Sequence, residues 1–226
     1  MRDRKFYRIF DYDKKLLPNA HLALLESQVD STESARDKTG ASIGFPGWGI
    51  LYYLLLSHLD RERDELIIET GTNEGCTTII LAQALIDAKC PGKVATIELD
   101  PENIEKAKLN FERAGVEARI NLHEGSSFDV LPKILSDRKD IRFAFLDASH
   151  FIDDVRREFE IVLPHLADDA LVLFDNTYKI ARKNEDQRVN GFLRSIKDQY
   201  GGNLINLEFV SWFTPGLAIW QKSPKL

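Results

Sequence analysis

At 226 residues, with 43 % hydrophobic and 29 % charged side chains, the chain has an ordinary globular composition, neither disordered nor fibrous. At about 150 residues per domain this allows one large domain, or a domain with a small extension. Thirty Lys and Arg against 36 Asp and Glu leave a formal charge of −6, which argues against a general nucleic-acid binder because such a protein needs a basic footprint. Cys76 and Cys90 are the two cysteines, in no CxxC or Cys/His metal spacing, so no disulfide framework is expected and a reducing compartment fits. The start MRDRKFYRIFDYDKK has no apolar signal core, and the longest apolar run, residues 50–56, falls well short of the ~20 needed to cross a bilayer. The expectation is a soluble, cytoplasmic protein with no membrane partner.

Residues 1–15 carry six basic and three acidic side chains and read as an arm or dimer contact. A helix is expected over about residues 20–29. The polar stretch 30–39 reads as a loop, and a glycine-rich turn at 44–49 precedes a second, apolar helix. Together, residues 1–60 read as a helical cap or oligomer arm, and 61–226 as the main domain.

From residue 66 short apolar runs alternate with amphipathic stretches. The runs are 66–69, 94–98, 120–124, 141–147 and 170–175. Helical patterns lie between them: 77–87, then Ile104, Ala107, Phe111 and Ala114 stopped by Gly115, then the stretch after Phe128. The last is Ile152, Val155, Phe159, Val162 and Leu166. Asp100-Pro101-Glu102 is a helix start, with an N-cap acceptor, proline at the first position and an acid near the dipole. Runs such as FAFLD and LVLFD do not alternate, as expected for parallel strands covered on both faces. A helix carrying Val189, Phe192, Leu193, Ile196 and Tyr200 follows. Runs 204–210 and 216–221, turning at Thr214-Pro215-Gly216, predict an antiparallel C-terminal hairpin. The pattern implies a doubly wound, Rossmann-like α/β sheet, mostly parallel, with an N-terminal helical cap.

The loop Glu69-Thr70-Gly71-Thr72-Asn73-Glu74-Gly75 follows the first strand and opens a helix, the place where a cofactor meets a helix N-terminus. Its spacing is G-x-x-x-G, not the dinucleotide G-x-G-x-x-G. Glu69 and Glu74 flank it with no Lys or Arg nearby, so it suits a cofactor bearing an ammonium and a sulfonium better than a pyrophosphate. A tight turn without a ligand is the competing reading. Glu98 ends the second strand, where an acid accepts hydrogen bonds from both ribose hydroxyls, and a solvated strand end is its alternative.

The series ETGTNEG, TIELDPENIEKAK, HEGSSFDVLP, FLDASH and LVLFDNTYK resembles class I S-adenosylmethionine-dependent methyltransferases, nearest to the small-molecule O-methyltransferases of the catechol and caffeoyl-CoA type. The resemblance covers roughly residues 60–222. It implies that Glu69, Gly71, Thr72, Gly75 and Thr77 hold the methionine part of S-adenosylmethionine, Glu98 and Leu99 the ribose side, and Gly125, Ser126 and Ser127 the adenine. Asp147 joins the cofactor set. The family's metal site falls on Asp147, Asp175 and Asn176, hard oxygen donors suited to Mg²⁺ or another divalent cation. Asp147 and Asp175 end expected neighbouring strands about 4.8 Å apart, so they can converge on one ion.

His150 lies three residues past Asp147, where the family commonly carries a lysine. A histidine keeps proton abstraction possible, and His150 with Asp147 form the expected catalytic set. A helix-capping role is the alternative for His150, and cofactor or substrate positioning without metal is the alternative for Asp147. Methyl transfer from a sulfonium needs mainly an oriented, deprotonated acceptor oxygen. The expected function is therefore O-methylation of a small phenol- or catechol-like acceptor by a homodimer. The competing readings are a metal-independent methyltransferase acting on a sugar or antibiotic hydroxyl, a nicotinamide-dependent dehydrogenase, and a non-catalytic cofactor-binding protein. Weaker signals are Lys179, Arg182 and Lys183 for an anionic substrate, Phe45, Trp48, Trp212 and Phe213 as an acceptor wall, and Cys76 as a helix-start thiol of lowered pKa. Glu69, Glu98, Glu124, Asp147 and Asp175 are each expected at a strand end, on one edge of the sheet.

Overall fold

The computed structural model describes residues 17–45, 47–177, 188–207 and 216–223. Seven strands form one sheet in the order β3-β2-β1-β4-β5-β7-β6. The parallel strands are β1 (Leu66–Thr70), β2 (Lys93–Glu98), β3 (Ile120–Glu124), β4 (Ile141–Leu146) and β5 (Leu166–Asp175). β7 (Leu217–Gln221) runs antiparallel between β5 and β6 (Asn203–Leu207), as the hairpin reading expects. Most of its connecting turn lies outside the described residues.

The unalternating apolar runs supply both faces of the sheet. Phe143, Phe145, Leu171 and Leu173 point to one core, and Ala144, Leu146, Val172 and Phe174 to the other. On the first face lie α3 (Gly47–His58), α4 (Cys76–Asp87) and α5 (Pro101–Ala114). The second carries α6 (Ser127–Leu135), α7 (Ile152–Val162) and α8 (Val189–Tyr200), with Phe159 and Trp220 edge to face at 5.0 Å. α4 is buried nearly all round because α3 covers its outer side. Leu22 of α1 (Ala20–Glu26) and Trp48 and Leu51 of α3 share the first core with the sheet, so residues before 60 pack into the same body as the strands.

Two local readings are corrected. Residues Thr32–Thr39, expected as a loop, form α2. Ser31 and Ser34 cap it reciprocally, and Gly40 closes it at φ 59°, so the helix is held by its ends, not by an apolar stripe. β5 begins at Leu166, not at 170. Leu166 pairs with Ile141, and pairing resumes at Phe143–Leu171 across an irregularity that takes in the polar Ala167-Asp168-Asp169.

Candidate functional site

The C-terminal ends of β1, β2, β4 and β5 open into one cavity of about 620 Å³, within the range of small-molecule sites. Parallel strands put these ends on one edge, and the sheet order places the reversal between β1 and β4 there.

The first wall is the β1–α4 loop. Gly71 adopts φ 82°, and a Cβ on it would stand 2.4 Å from the carbonyl oxygen of Asp147, so only glycine lets the loop pass this close to β4. The N–H groups of Gly71 and Thr72 both donate to the Ile97 carbonyl. Asn73, at φ 50°, donates its N–H to Glu98 Oε2 at 2.6 Å and its side-chain amide to the Gly40 carbonyl at 2.6 Å. Leu99 and Asp100 donate their N–H groups to Glu98 Oε1, both at 3.0 Å. Three backbone donors thus fix the Glu98 carboxylate, and the residue lines the cavity with acceptor capacity left over.

Gly71, Thr72, Thr77, Glu98, Leu99, Gly125, Ser126, Ser127, Asp147, His150, Asp175 and Asn176 all line this cavity. Glu69 and Gly75 do not. Glu69 is fully buried beneath the loop, where Thr78 and Thr96 donate to its Oε2 at 2.5 and 2.6 Å while Oε1 has no partner. Burial pushes its carboxyl up to about 7. Gly75 starts α4 at φ 85°, and a Cβ there would meet the Phe111 ring at 2.4 Å. Glu124 ends β3 exposed and away from the cavity.

The second wall holds the polar cluster. Asp147 and Asp175 interact directly, and desolvation, followed by neighbouring acids, raises both carboxyls well above the ordinary range. Asn176, at φ 55°, donates from Nδ2 to Asp175 Oδ2 at 2.9 Å and to His150 Nε2 at 3.0 Å. His150 Nε2 stands 3.5 Å from Asp147 Oδ1. Burial lowers the imidazole pKa, with Arg188 acting in the same direction and Asp175 and Glu158 opposing, so the ring is neutral at pH 7. Asp175 Oδ1 is buried without a partner. Asp147 and Asp175 bring two hard carboxylates together, with one Asp175 oxygen unmatched, and such donors suit a divalent cation completed by waters and substrate oxygens, while Asn176 turns its Nδ2 toward Asp175. Among the described residues no group of three or more His, Cys, Asp or Glu side chains is placed to hold a metal ion.

Sequence reasoning missed two parts of this site. Residues 39–42, from the cap, line the cavity, and Ser42 Oγ lies 2.9 Å from Thr77 Oγ1 while Trp48 Nε1 donates to it at 3.1 Å. Glu158 of α7 also lines it, 1 % exposed. An acid between Val155 and Phe159 on the buried face of an amphipathic helix was the available signal. Trp48 is core and not an acceptor wall, and Phe45 packs against that core. Cys76 is buried, and desolvation raises its thiol pKa, the opposite of the helix-start expectation. Lys179, Arg182, Lys183, Trp212, Phe213 and the 1–15 arm lie outside the described residues.

A family model described as a methyltransferase domain matches residues 68–177. A catechol O-methyltransferase of Niastella koreensis is 28 % identical over 137 residues, 61 % of this chain and 58 % of that protein. A catechol O-methyltransferase of Mycobacterium tuberculosis is 37 % identical over 82 residues, 36 % of this chain and 35 % of that one. The chain thus spans about half or less of these relatives' length. The crystal structure of the O-methyltransferase TomG from Streptomyces achromogenes, in complex with S-adenosylmethionine, matches with a TM-score of 0.70 at 20 % identity, over 96 % of this chain and 92 % of that one. At that identity the likeness shows the fold.

Proposed function

We propose that this chain, whose residues 68–177 belong to the methyltransferase domain family and whose sheet is the class I S-adenosylmethionine-dependent methyltransferase fold, moves a methyl group to a hydroxyl oxygen of a small phenol- or catechol-like molecule. The observation that carries the reading is the single cavity lined at one end by the Gly71 turn and Glu98 and at the other by Asp147, His150, Asp175 and Asn176. When bound, S-adenosylmethionine supplies a methyl group already activated by its sulfonium, so the protein's work is to orient and deprotonate. Glu98, pre-oriented by three backbone N–H groups, accepts from ribose hydroxyls. Gly71, Thr72 and Thr77 line the methionine end, and Ser126 and Ser127 the purine end. Glu69 supports this loop from below, accepting from Thr78 and Thr96.

His150, neutral at pH 7, is the proton acceptor, and Asn176 holds its Nε2 until an acceptor hydroxyl competes for that lone pair. Asp147, Asp175 and Asn176 are the ligands for Mg²⁺ or another divalent cation, which would lower the cost of ionising a hydroxyl. That no group of three or more His, Cys, Asp or Glu side chains is placed to hold a metal ion among the described residues supports a second reading, metal-independent transfer to a sugar or antibiotic hydroxyl. Exposed Leu24 of α1 and Tyr53 of α3 support the expected homodimer, checked by sedimentation, and a cytoplasmic location goes with the cysteine usage.

The test pairs calorimetry with turnover. Micromolar binding of S-adenosylhomocysteine, and methyl transfer within a panel of phenols, catechols and sugars with and without Mg²⁺, is the expected result. Micromolar affinity for NADH with none for S-adenosylhomocysteine would overturn the proposal.

A further inference from the structure

Glu158 is a buried acid with half of its hydrogen-bonding capacity unspent. Its Oε2 accepts from Thr70 Oγ1 at 3.0 Å, and the Ser127 hydroxyl also interacts with the carboxylate. Thr70 Oγ1 in turn accepts from the Asp147 N–H at 3.2 Å, so the carboxylate is anchored to the ends of β1 and β4. Its Oε1 has no protein partner, although the side chain is 1 % exposed and lines the cavity. A buried, unmatched acceptor costs roughly 1–3 kcal/mol, more when charged, and a cavity beside it invites a donor from a ligand. Burial pushes the carboxyl up to about 7.

The position of Glu158 selects the donor. The cavity has two flanks. Thr77 and Ser42 line the flank at the start of α4, and Ser127 and Phe128 line the flank at the start of α6. Glu158 belongs to the second, through Ser127. Given the S-adenosylmethionine reading above, on which this inference rests, the second flank receives the purine. The ring nitrogens of an N9-substituted adenine are acceptors. Its exocyclic 6-amino group is its one N–H donor.

We propose that Glu158 is a cofactor-binding residue that accepts a hydrogen bond from the 6-amino group of the cofactor's purine, and thereby selects adenine over a 6-oxopurine. With a 6-oxopurine, a carbonyl oxygen would face the carboxylate, setting acceptor against acceptor. The Thr70 hydroxyl holds Oε2 in place, so the carboxylate cannot readily turn away to escape that contact.

The experiment is isothermal calorimetry at about pH 8.5, where a carboxyl raised to about 7 is ionised, of the full chain with S-adenosylhomocysteine and with its 6-oxo counterpart, S-inosylhomocysteine, for the wild type and Glu158→Gln. A lost charge-assisted hydrogen bond corresponds to roughly a 10- to 100-fold change in affinity, so the wild type is expected to prefer the 6-amino ligand at least about tenfold. Gln presents an acceptor or a donor and still serves Thr70 and Ser127. In that variant the ratio should fall below about threefold, with S-adenosylhomocysteine weakened about 3- to 10-fold. Equal binding of the two ligands by the wild type overturns the assignment of Glu158 and leaves the methyltransferase reading standing, and it requires no variant to fold. A selective wild type whose ratio survives Glu158→Gln also overturns the assignment. A wild type that binds neither ligand overturns both this inference and the function it rests on.

Discussion

Glu69→Gln should abolish a pH dependence that the wild type carries in its own fold. The Glu69 carboxyl is fully buried, and burial lifts it from an ordinary 4.5 to about 7 despite hydrogen bonds from Thr78 and Thr96. The folded state therefore holds this proton more tightly than the unfolded chain does. Its contribution to stability is complete below pH 4.5 and drains away as pH rises through 7. At 1.36 kcal/mol per tenfold change in proton affinity, the loss between pH 4.5 and 8 is about 3 kcal/mol. Gln keeps an acceptor for the two threonine hydroxyls but has no proton to lose. Urea unfolding of both proteins without ligand, at several pH values from 4.5 to 8, isolates the effect, because the other buried acids contribute to both curves. The stability of the variant minus that of the wild type should grow by about 3 kcal/mol across that window. Parallel curves would refute the reasoning and show that Glu69 is not held neutral by its burial.

Gly71→Ala should cost about 2–4 kcal/mol in urea unfolding and weaken S-adenosylhomocysteine more than tenfold, since the new Cβ meets the Asp147 carbonyl at a positive φ. An unchanged affinity would remove the loop from the site. Asp175→Ala should abolish metal-stimulated transfer while leaving S-adenosylhomocysteine affinity within a few-fold, and wild-type activity fully resistant to EDTA would retire the metal. His150→Ala should reduce turnover most for high-pKa acceptors, and an equal rate across an acceptor series would remove it as base. Because burial lowers the His150 pKa, the acid limb of the wild-type pH profile should fall below the ordinary histidine midpoint of 6.5.

What could be read from the sequence followed from how strongly each element writes its packing into its residues. FAFLD and LVLFD announce strands because both faces are covered, and Asp100-Pro101-Glu102 announces α5 because capping is local chemistry. α2 escaped because Ala35 and Thr39 are the buried residues among its described side chains, and two serines and a glycine fix its ends. The start of β5 was hidden by Ala167-Asp168-Asp169, whose polarity reads as loop while the strand continues around it. In the site, strand ends identify Glu98, Asp147 and Asp175 because topology alone brings them to one edge. Glu158 is reached from a helix packed on the other side of that edge. Only the fold shows that its carboxylate, on the same buried helix face as Val155 and Phe159, meets Thr70.

The strand-end acids also divide by what surrounds them. Glu98 is matched by backbone donors, and Glu124 stays in solvent. Glu69, Asp175 and the added Glu158 are buried and each keeps a buried oxygen without a partner, while Asp147 is part-exposed to the cavity. Burial raises all four carboxyls above their ordinary range, so each holds its proton more tightly unless a positive charge is near. A cationic cofactor or a metal ion would displace those protons. Ligands that bring positive charge are therefore favoured at this edge over a pyrophosphate.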